Sequence, residues 1–466
     1  QHMRSNVTPF LSLLLCLTTN AALYTGYKLL RFPANETIAS WLDQVGDYAH
    51  DLDEKSGEER RTLFDVWSEP TKVQDFADVM VSPDFLDTFL ALLASQGVHQ
   101  VQVIKTDVQN GIDEEVRVME SRRRKKRQTG NALESFDDKN YHSYDAMVHF
   151  MSSLSQQYPQ LVKMVNISRT FEGRRLYGVK ISSSTTYKPA IVIDAGVHAR
   201  EWVAPAAALY IIKKLVNSYG VDPTLTKAMK DFDWFIIPQV NPDGYEYSMK
   251  IECGRGQPGL TGGSPNGIPR DRLWRKTRSR NITLSKYCVG ADANRNWGYQ
   301  WGEAGANRSP CSNIYQGAHP FSEPEIVGLR DFLTWEIPQI EIYISLHSYG
   351  QVWLSPWGYT NKRPENYEDQ RNAARAAVDA MKKKTGAVYS YGTISEVMYP
   401  ASGTVIDYLQ DKKVPYIYGV ELRPLEHHSY GFTIPPQYIQ PTGDETLAGV
   451  MAVAEYASKK RVTIPL

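Results

Sequence analysis

The sequence predicts an α/β protein built on a central mixed β-sheet with helices on both faces, preceded by a small α+β unit of ferredoxin-like order. Three observations carry this expectation. Short apolar runs at Ile191–Ala195, Trp234–Ile237, Ile342–Leu346 and Tyr416–Val420 alternate with helical spacings over Ala204–Val216, Glu325–Trp335 and Ala373–Lys384. Continuous apolar strands are buried on both sides, so helices must lie above and below them. Upstream, strand and helix periodicities follow in the order β-α-β-β-α-β. Between the two regions, Ser121-Arg-Arg-Arg-Lys-Lys-Arg127 is the sharpest compositional break in the chain.

In the upstream unit, Tyr24–Phe32 alternates as a strand, and Glu36–Val45 places Ile38, Trp41, Leu42 and Val45 on one helical face. Arg61–Trp67 and Phe76–Val81 read as strands. Ser82-Pro83 opens a helix through Phe85, Leu86, Phe89, Leu90 and Leu93, which Gly97 stops, and Val98–Ile104 alternates again. Such a unit is expected to cover a site on the next domain until the basic seam is cut. Arg124-x-Lys126-Arg127 suits a furin-like protease, and a trypsin-like one would also cut after Arg127.

At 466 residues the chain has room for two domains, and 42% hydrophobic residues suffice for packed cores. Lys plus Arg equals Asp plus Glu at 52 each, so no global field favours nucleic acid or an anionic membrane. Arg4 followed by the apolar run Phe10–Leu17 and the small residues near Ala21 and Ala22 read as a secretory signal over residues 1–22, too short to span a bilayer. The expected division is therefore 1–22 signal, 23–127 prodomain and 128–466 main domain, in a secreted, extracellular protein. Cys16 falls in the signal. Cys288 and Cys311 are close enough in sequence to close a loop in an oxidising compartment, which leaves Cys253 free or paired between molecules. Sequons begin at Asn35, Asn166 and Asn281, and Asn307-Arg-Ser, followed by Pro310, is a poorer candidate.

The chemistry centres on Gly196-Val-His-Ala-Arg-Glu-Trp202, just after an apolar strand. His198 and Glu201 stand three positions apart and face the same way in a helical turn. One His and one carboxylate, with a second His from elsewhere, form an open catalytic zinc site. His347, at the end of another strand, is the best second His. Glu421 ends a third strand and has no core role unless paired; Arg423 is the competing partner, and facing the metal it would move protons. Asp292 could fix the tautomer of His198, Asn294 and Arg295 could grip a carboxylate, Arg275 could stabilise an oxyanion, and Tyr399 could cap a substrate.

Taken together, Gly196–Trp202, Asn241-Pro-Asp-Gly244, Trp274-Arg-Lys-Thr-Arg278, Asp292-Ala-Asn-Arg-Asn-Trp297, His347-Ser-Tyr349, Tyr399-x-Ala-Ser-Gly403, Glu421-Leu-Arg423 and Tyr430-Gly-Phe432 resemble the motifs of the zinc metallocarboxypeptidases of the pancreatic procarboxypeptidase A/B type. The resemblance implies a carboxypeptidase-type catalytic domain and one Zn2+ per chain, held by His198, Glu201 and His347. It implies Glu421 as general base and Arg275 at the oxyanion. It further implies Arg200, Asn294, Arg295 and Tyr399 as substrate contacts, and Ile406 as the floor of the pocket for the terminal side chain. An apolar floor implies preference for aromatic and aliphatic C-terminal residues, whereas Asp407, one position on, would invert it. Implied partners are peptide C-termini, the activating protease and protein inhibitors, with the enzyme a monomer and digestion its role. Two segments depart from the family pattern: a longer loop with Cys253 and Gly254–Gly263, and the link Pro424–Ser429 with His427 and His428.

Overall fold

The computed structural model describes residues 23–35, 37–42, 44–46, 63–70, 75–126, 136–184, 186, 188–249, 271–425 and 429–463. The expected signal, the Arg127 cleavage position, Cys253 with the glycine-rich loop, and His427 and His428 lie outside these residues.

The upstream unit holds β1 (Lys28–Pro33), β2 (Phe64–Ser68), β3 (Phe76–Val81) and β4 (Gln102–Lys105). They pair antiparallel in the order β2-β3-β1-β4, which is the ferredoxin-like arrangement. Period-2 alternation divides the sheet's side chains between two destinations. Leu30, Phe32, Val79 and Val81 meet Ile38, Leu42, Phe89 and Leu93 of the covering helices. Leu29, Trp67 and Met80 on the opposite face meet Leu273, Tyr349 and Phe432 of the larger domain. The sheet is thus apolar on both sides because it docks.

Two local expectations shift. The strand expected from Val98 begins only at Gln102, because Gly97 (φ +79°) ends the preceding helix in the left-handed region and Val98 N–H donates back to Leu93 O at 3.1 Å. The basic run is helical up to Lys126, where it continues the 19-residue helix Val108–Lys126. Lys and Arg are good helix formers.

The larger sheet comprises β5 (Val162–Arg169), β6 (Arg175–Ile181), β7 (Ala190–Ala195), β8 (Asp233–Ile237), β9 (Ile340–Ser348), β10 (Val352–Ser355), β11 (Ser390–Thr393) and β12 (Tyr416–Leu422). Their order is β11-β10-β12-β9-β7-β8-β6-β5. The run β12-β9-β7-β8 is parallel, while β6 and β5 on one side and β10 against β12 on the other are antiparallel. Helices Tyr144–Gln157, Val203–Ser218, Tyr367–Thr385 and Ile439–Thr463 cover one face, where Ile191, Ile193, Ile342 and Ile344 point. Helices Pro324–Asp331 and Val405–Asp411 cover the other, where Val192, Tyr343 and Ile417 point. The helix expected over Glu325–Trp335 is α-helical only to Asp331 and finishes as a π turn, Phe332–Glu336. No described helix is long and apolar enough to cross a membrane.

Candidate active site

Three parallel strands end on one edge of the sheet and deliver the site, as strand ends do in such sheets. Beyond β7 the chain turns at Gly196, whose φ is +69°; a Cβ there would lie 1.8 Å from Gln239 Oε1, so only glycine fits. The turn carries His198 and closes with Glu201 N–H donating to His198 O at 3.3 Å, before a helix starts at Val203. His347 lies near the end of β9, and Glu421 is its in-register neighbour on β12.

These side chains meet. His198 Nδ1 lies 2.7 Å from Glu201 Oε1, His347 Nδ1 lies 3.2 Å from Glu201 Oε2, and the two Nδ1 atoms are 3.3 Å apart. The opposite ring nitrogens are already engaged. Asp292 Oδ1 stands 3.2 Å from His198 Nε2, and Asp292, despite burial, is held well below the usual carboxylate range, chiefly by Arg275 and His198. It therefore accepts, and Nε2 carries the proton. His347 Nε2 is 3.1 Å from Ser345 Oγ, whose own proton goes to Asp194 at 2.6 Å, so this Nε2 also donates. Both Nδ1 lone pairs consequently point at one place, together with a carboxylate. Against burial, the facing Glu201 pushes His347 up, the mark of a strongly negative field at this point. Against burial too, His198 and His347 hold Glu201 well below the usual range. Two imidazoles and one carboxylate with ligand atoms within 4.8 Å of one another fit a divalent cation such as zinc, with one position open.

Asp292 serves a second group. Its Oδ2 accepts from Arg275 Nη2 at 2.7 Å and Nε at 3.1 Å, which fixes the guanidinium beside the cavity. Arg295 donates Nε to Gly305 O at 2.6 Å and Nη1 to Asn294 O at 3.0 Å, and Asn294 Oδ1 accepts from Val405 N–H at 3.2 Å. Arg275, Asn294, Arg295, Tyr399, Ile406 and Glu421 all line the cavity that contains His198, Glu201 and His347. Burial above all pushes Glu421 up to about 8. The rival ion pair is absent, because Arg423 forks onto Glu445 at 2.6 and 2.8 Å.

Ile406 and Asp407, adjacent in sequence, have different surroundings. Ile406 faces the cavity, whereas the carboxylate of Asp407 accepts from the backbone N–H groups of Gly358 and Tyr359 at 2.8 and 3.0 Å. Sequence reasoning missed four other apolar wall residues, Leu354, Ile394, Met398 and Ala401, and also Gly419. A glycine in the middle of a buried strand was the available signal, since it marks a close approach. A Cβ on Gly419 would meet nothing nearer than Leu354 Cβ at 3.8 Å. Cys288 and Cys311 are joined, closing the loop that carries Asn294 and Arg295.

The upstream unit roofs the cavity with Asp65, Val66, Trp67, Ser68 and Glu69. Asp65 accepts from Arg200 Nη1 and from Asn313 Nδ2, each at 2.6 Å. Arg200, expected to meet substrate, is therefore engaged by the roof. Three further contacts fasten the units: Tyr24 OH donates to Asp271 at 2.6 Å, Lys105 Nζ donates to Thr433 Oγ1 at 2.9 Å, and Arg272 forks onto Glu115 at 2.6 and 3.0 Å.

Comparison with known proteins agrees with this geometry. The zinc carboxypeptidase family model matches residues 147–449, and the carboxypeptidase activation peptide model matches residues 52–115. The chain is 33% identical to carboxypeptidase A1 of Bos taurus over 449 residues, covering 95% of this chain and 98% of that protein. It is 37% identical to carboxypeptidase B of Astacus astacus over 317 residues, covering 68% and 96%. The crystal structure of carboxypeptidase A from Helicoverpa armigera superimposes with a TM-score of 0.78 at 26% identity, covering 94% of this chain and 98% of that one.

Proposed function

Because this chain belongs to the zinc carboxypeptidase family and carries its activation peptide, we propose that His198, Glu201 and His347 hold one zinc ion in a C-terminal exopeptidase whose proton carrier is Glu421. The observation that carries this reading is the convergence of two Nδ1 lone pairs and the Glu201 carboxylate, with both Nε2 atoms tied back by acceptors.

When bound, zinc supplies Lewis acidity to the scissile carbonyl and to an attacking water. The protein does the rest. Glu421 takes the proton of the attacking water and delivers it to the departing nitrogen, and its position inside the cavity keeps bulk water from competing for that proton. Arg275, held rigid by Asp292, aims at the carbonyl oxygen as negative charge grows there. Asn294, Arg295 and Tyr399 grip the terminal carboxylate, which makes the enzyme an exopeptidase: an internal peptide would leave these donors buried without an anion. Arg200 joins substrate binding once Asp65 has gone. Dialysis against a chelator should abolish hydrolysis, and added zinc should restore it in step with bound metal. Turnover in metal-free protein would overturn the reading.

For specificity we favour aromatic and aliphatic C-terminal residues, on the strength of Ile406 facing the cavity and Asp407 turning away. Peptides ending in Phe or Leu should be cut well ahead of those ending in Lys or Glu. A preference for Lys would reverse this assignment. Gly419 supplies additional room, and a methyl group there fits the fold without clash. Gly419→Ala should therefore lower kcat/KM for peptides ending in Trp by about 10-fold or more, relative to those ending in Val. An unchanged Trp/Val ratio would remove Gly419 from the pocket's selectivity. The apolar run Phe10–Leu17 and the Cys288–Cys311 bridge support secretion, and the basic run ending at Arg127, just after the activation-peptide match, supports cleavage there by a trypsin-like or furin-like protease.

A further inference from the structure

Asn281 lies in the exposed loop that leads from the Arg275 segment to Cys288, and its surroundings serve none of the chemistry above. Its side-chain oxygen accepts two hydrogen bonds from the same downstream residue: Thr283 Oγ1 at 2.6 Å and Thr283 N–H at 3.2 Å. Both donors lie two positions away, so the turn requires no tertiary contact and can form before the domain folds. Two donors on the carbonyl oxygen draw electron density from the amide and make its Nδ2 proton easier to remove.

Among the described residues three other sequons occur. At Asn307 the side-chain oxygen accepts from Ser309 N–H at 2.7 Å, but Pro310 follows the serine and Asn307 lines the active-site cavity. Asn35 Oδ1 accepts from Ile38 N–H at 3.0 Å, at the start of a helix in the upstream unit. Asn166 is exposed on β5, but the register breaks between Asn166 and Ser168, and Ser168 Oγ is buried without a hydrogen-bond partner. The Ser168 hydroxyl therefore makes no hydrogen bond to the Asn166 amide.

The neighbourhood of Asn281 also has something to gain from a hydrophilic cover. Ile282, Leu284 and Tyr287 are 77%, 51% and 52% exposed in the same short loop. Contiguous exposed apolar side chains invite association, and a bulky polar chain attached between them prevents it.

We propose that Asn281 is the N-glycosylated residue of the mature enzyme, the donor being an oligosaccharide carried on a polyisoprenyl pyrophosphate. The Nδ2 atom forms a bond to the sugar's anomeric carbon, the bond from that carbon to pyrophosphate breaks, the lipid pyrophosphate leaves, and the amide proton passes to a base of the transferring enzyme. The inference rests on the secretion proposed above. The full chain should be expressed in eukaryotic cells twice, once with residues 1–22 and once with a proven secretory leader in their place. The native arm tests secretion alone; the leader arm tests the sugar whatever the native segment does. From the leader arm, endoglycosidase treatment should shift the trypsin-cut enzyme by one step, and mass mapping should place the sugar on Asn281. Asn281→Gln and Thr283→Ala should each remove that shift, while Asn166→Gln should retain it. An unshifted enzyme, or a sugar on Asn166 in place of Asn281, would overturn the proposal. Mapping the unmutated chain decides the matter even if a variant fails to fold.

Discussion

Glu421→Gln is expected to lower kcat by about 10²–10⁴-fold, the usual worth of a positioned acid/base group, while zinc content stays at its original value. The amide matches the carboxylate in shape, but it has no basic oxygen for the water's proton and no acid for the departing nitrogen. His198, Glu201 and His347 are untouched by the change, since none of their recorded hydrogen bonds reaches residue 421. Steady-state turnover measured alongside metal content separates the two effects. Near-normal turnover would remove Glu421 from the chemistry; loss of zinc would make it a supporting element of the metal site.

Glu115→Ala should wake the uncut chain. Glu115 and Arg272 form a fully buried fork between the activation segment and the main domain, and Arg272 also donates to Arg200 O and Phe432 O and stacks over Trp202 at 3.5 Å. Deleting one partner of a buried pair costs about 3–5 kcal/mol, because the other charge is left uncompensated. That penalty falls only on the docked state, since Arg272 regains water once the small domain lifts. The equilibrium between docked and lifted forms should shift by about 10²–10⁴-fold, read as increased hydrolysis of a short blocked peptide by intact protein with serine proteases inhibited. Residue 115 leaves with the activation segment, so the trypsin-cut enzyme is an internal control. Unchanged basal activity would mean that the docking does not depend on this pair.

The central strands were legible because burial on both faces writes them as unbroken apolar runs. The outer strands β5, β6, β10 and β11 were not. β5 alternates exposed and half-buried residues without a clean period, and β10 and β11 are four residues each, too short for any periodicity to register. The spacing of His198 and Glu201 drew attention to them, but it was the downstream motifs that gave the pair weight. His347 and Glu421 needed the added idea that strand ends on one sheet edge converge, and the register of β9 with β12 bears that out. Pairings between distant side chains left no trace in local sequence: Arg200 meets Asp65 across 135 positions, and Arg272 meets Glu115 across 157. Both follow from domain docking, which no residue pattern encodes. The helical run of Ser121–Lys126 was hidden for the opposite reason, since composition suggested a linker where backbone propensity favours continuation.

One carboxylate, Asp292, has hydrogen bonds to two masters: Oδ1 steadies the imidazole of His198, and Oδ2 steadies the guanidinium of Arg275. Evolution is thereby denied two separate dials. Any drift of that loop that loosens the imidazole of His198 also frees the guanidinium of Arg275, so tolerance to change at position 292 is set by whichever of the two needs the tighter hold.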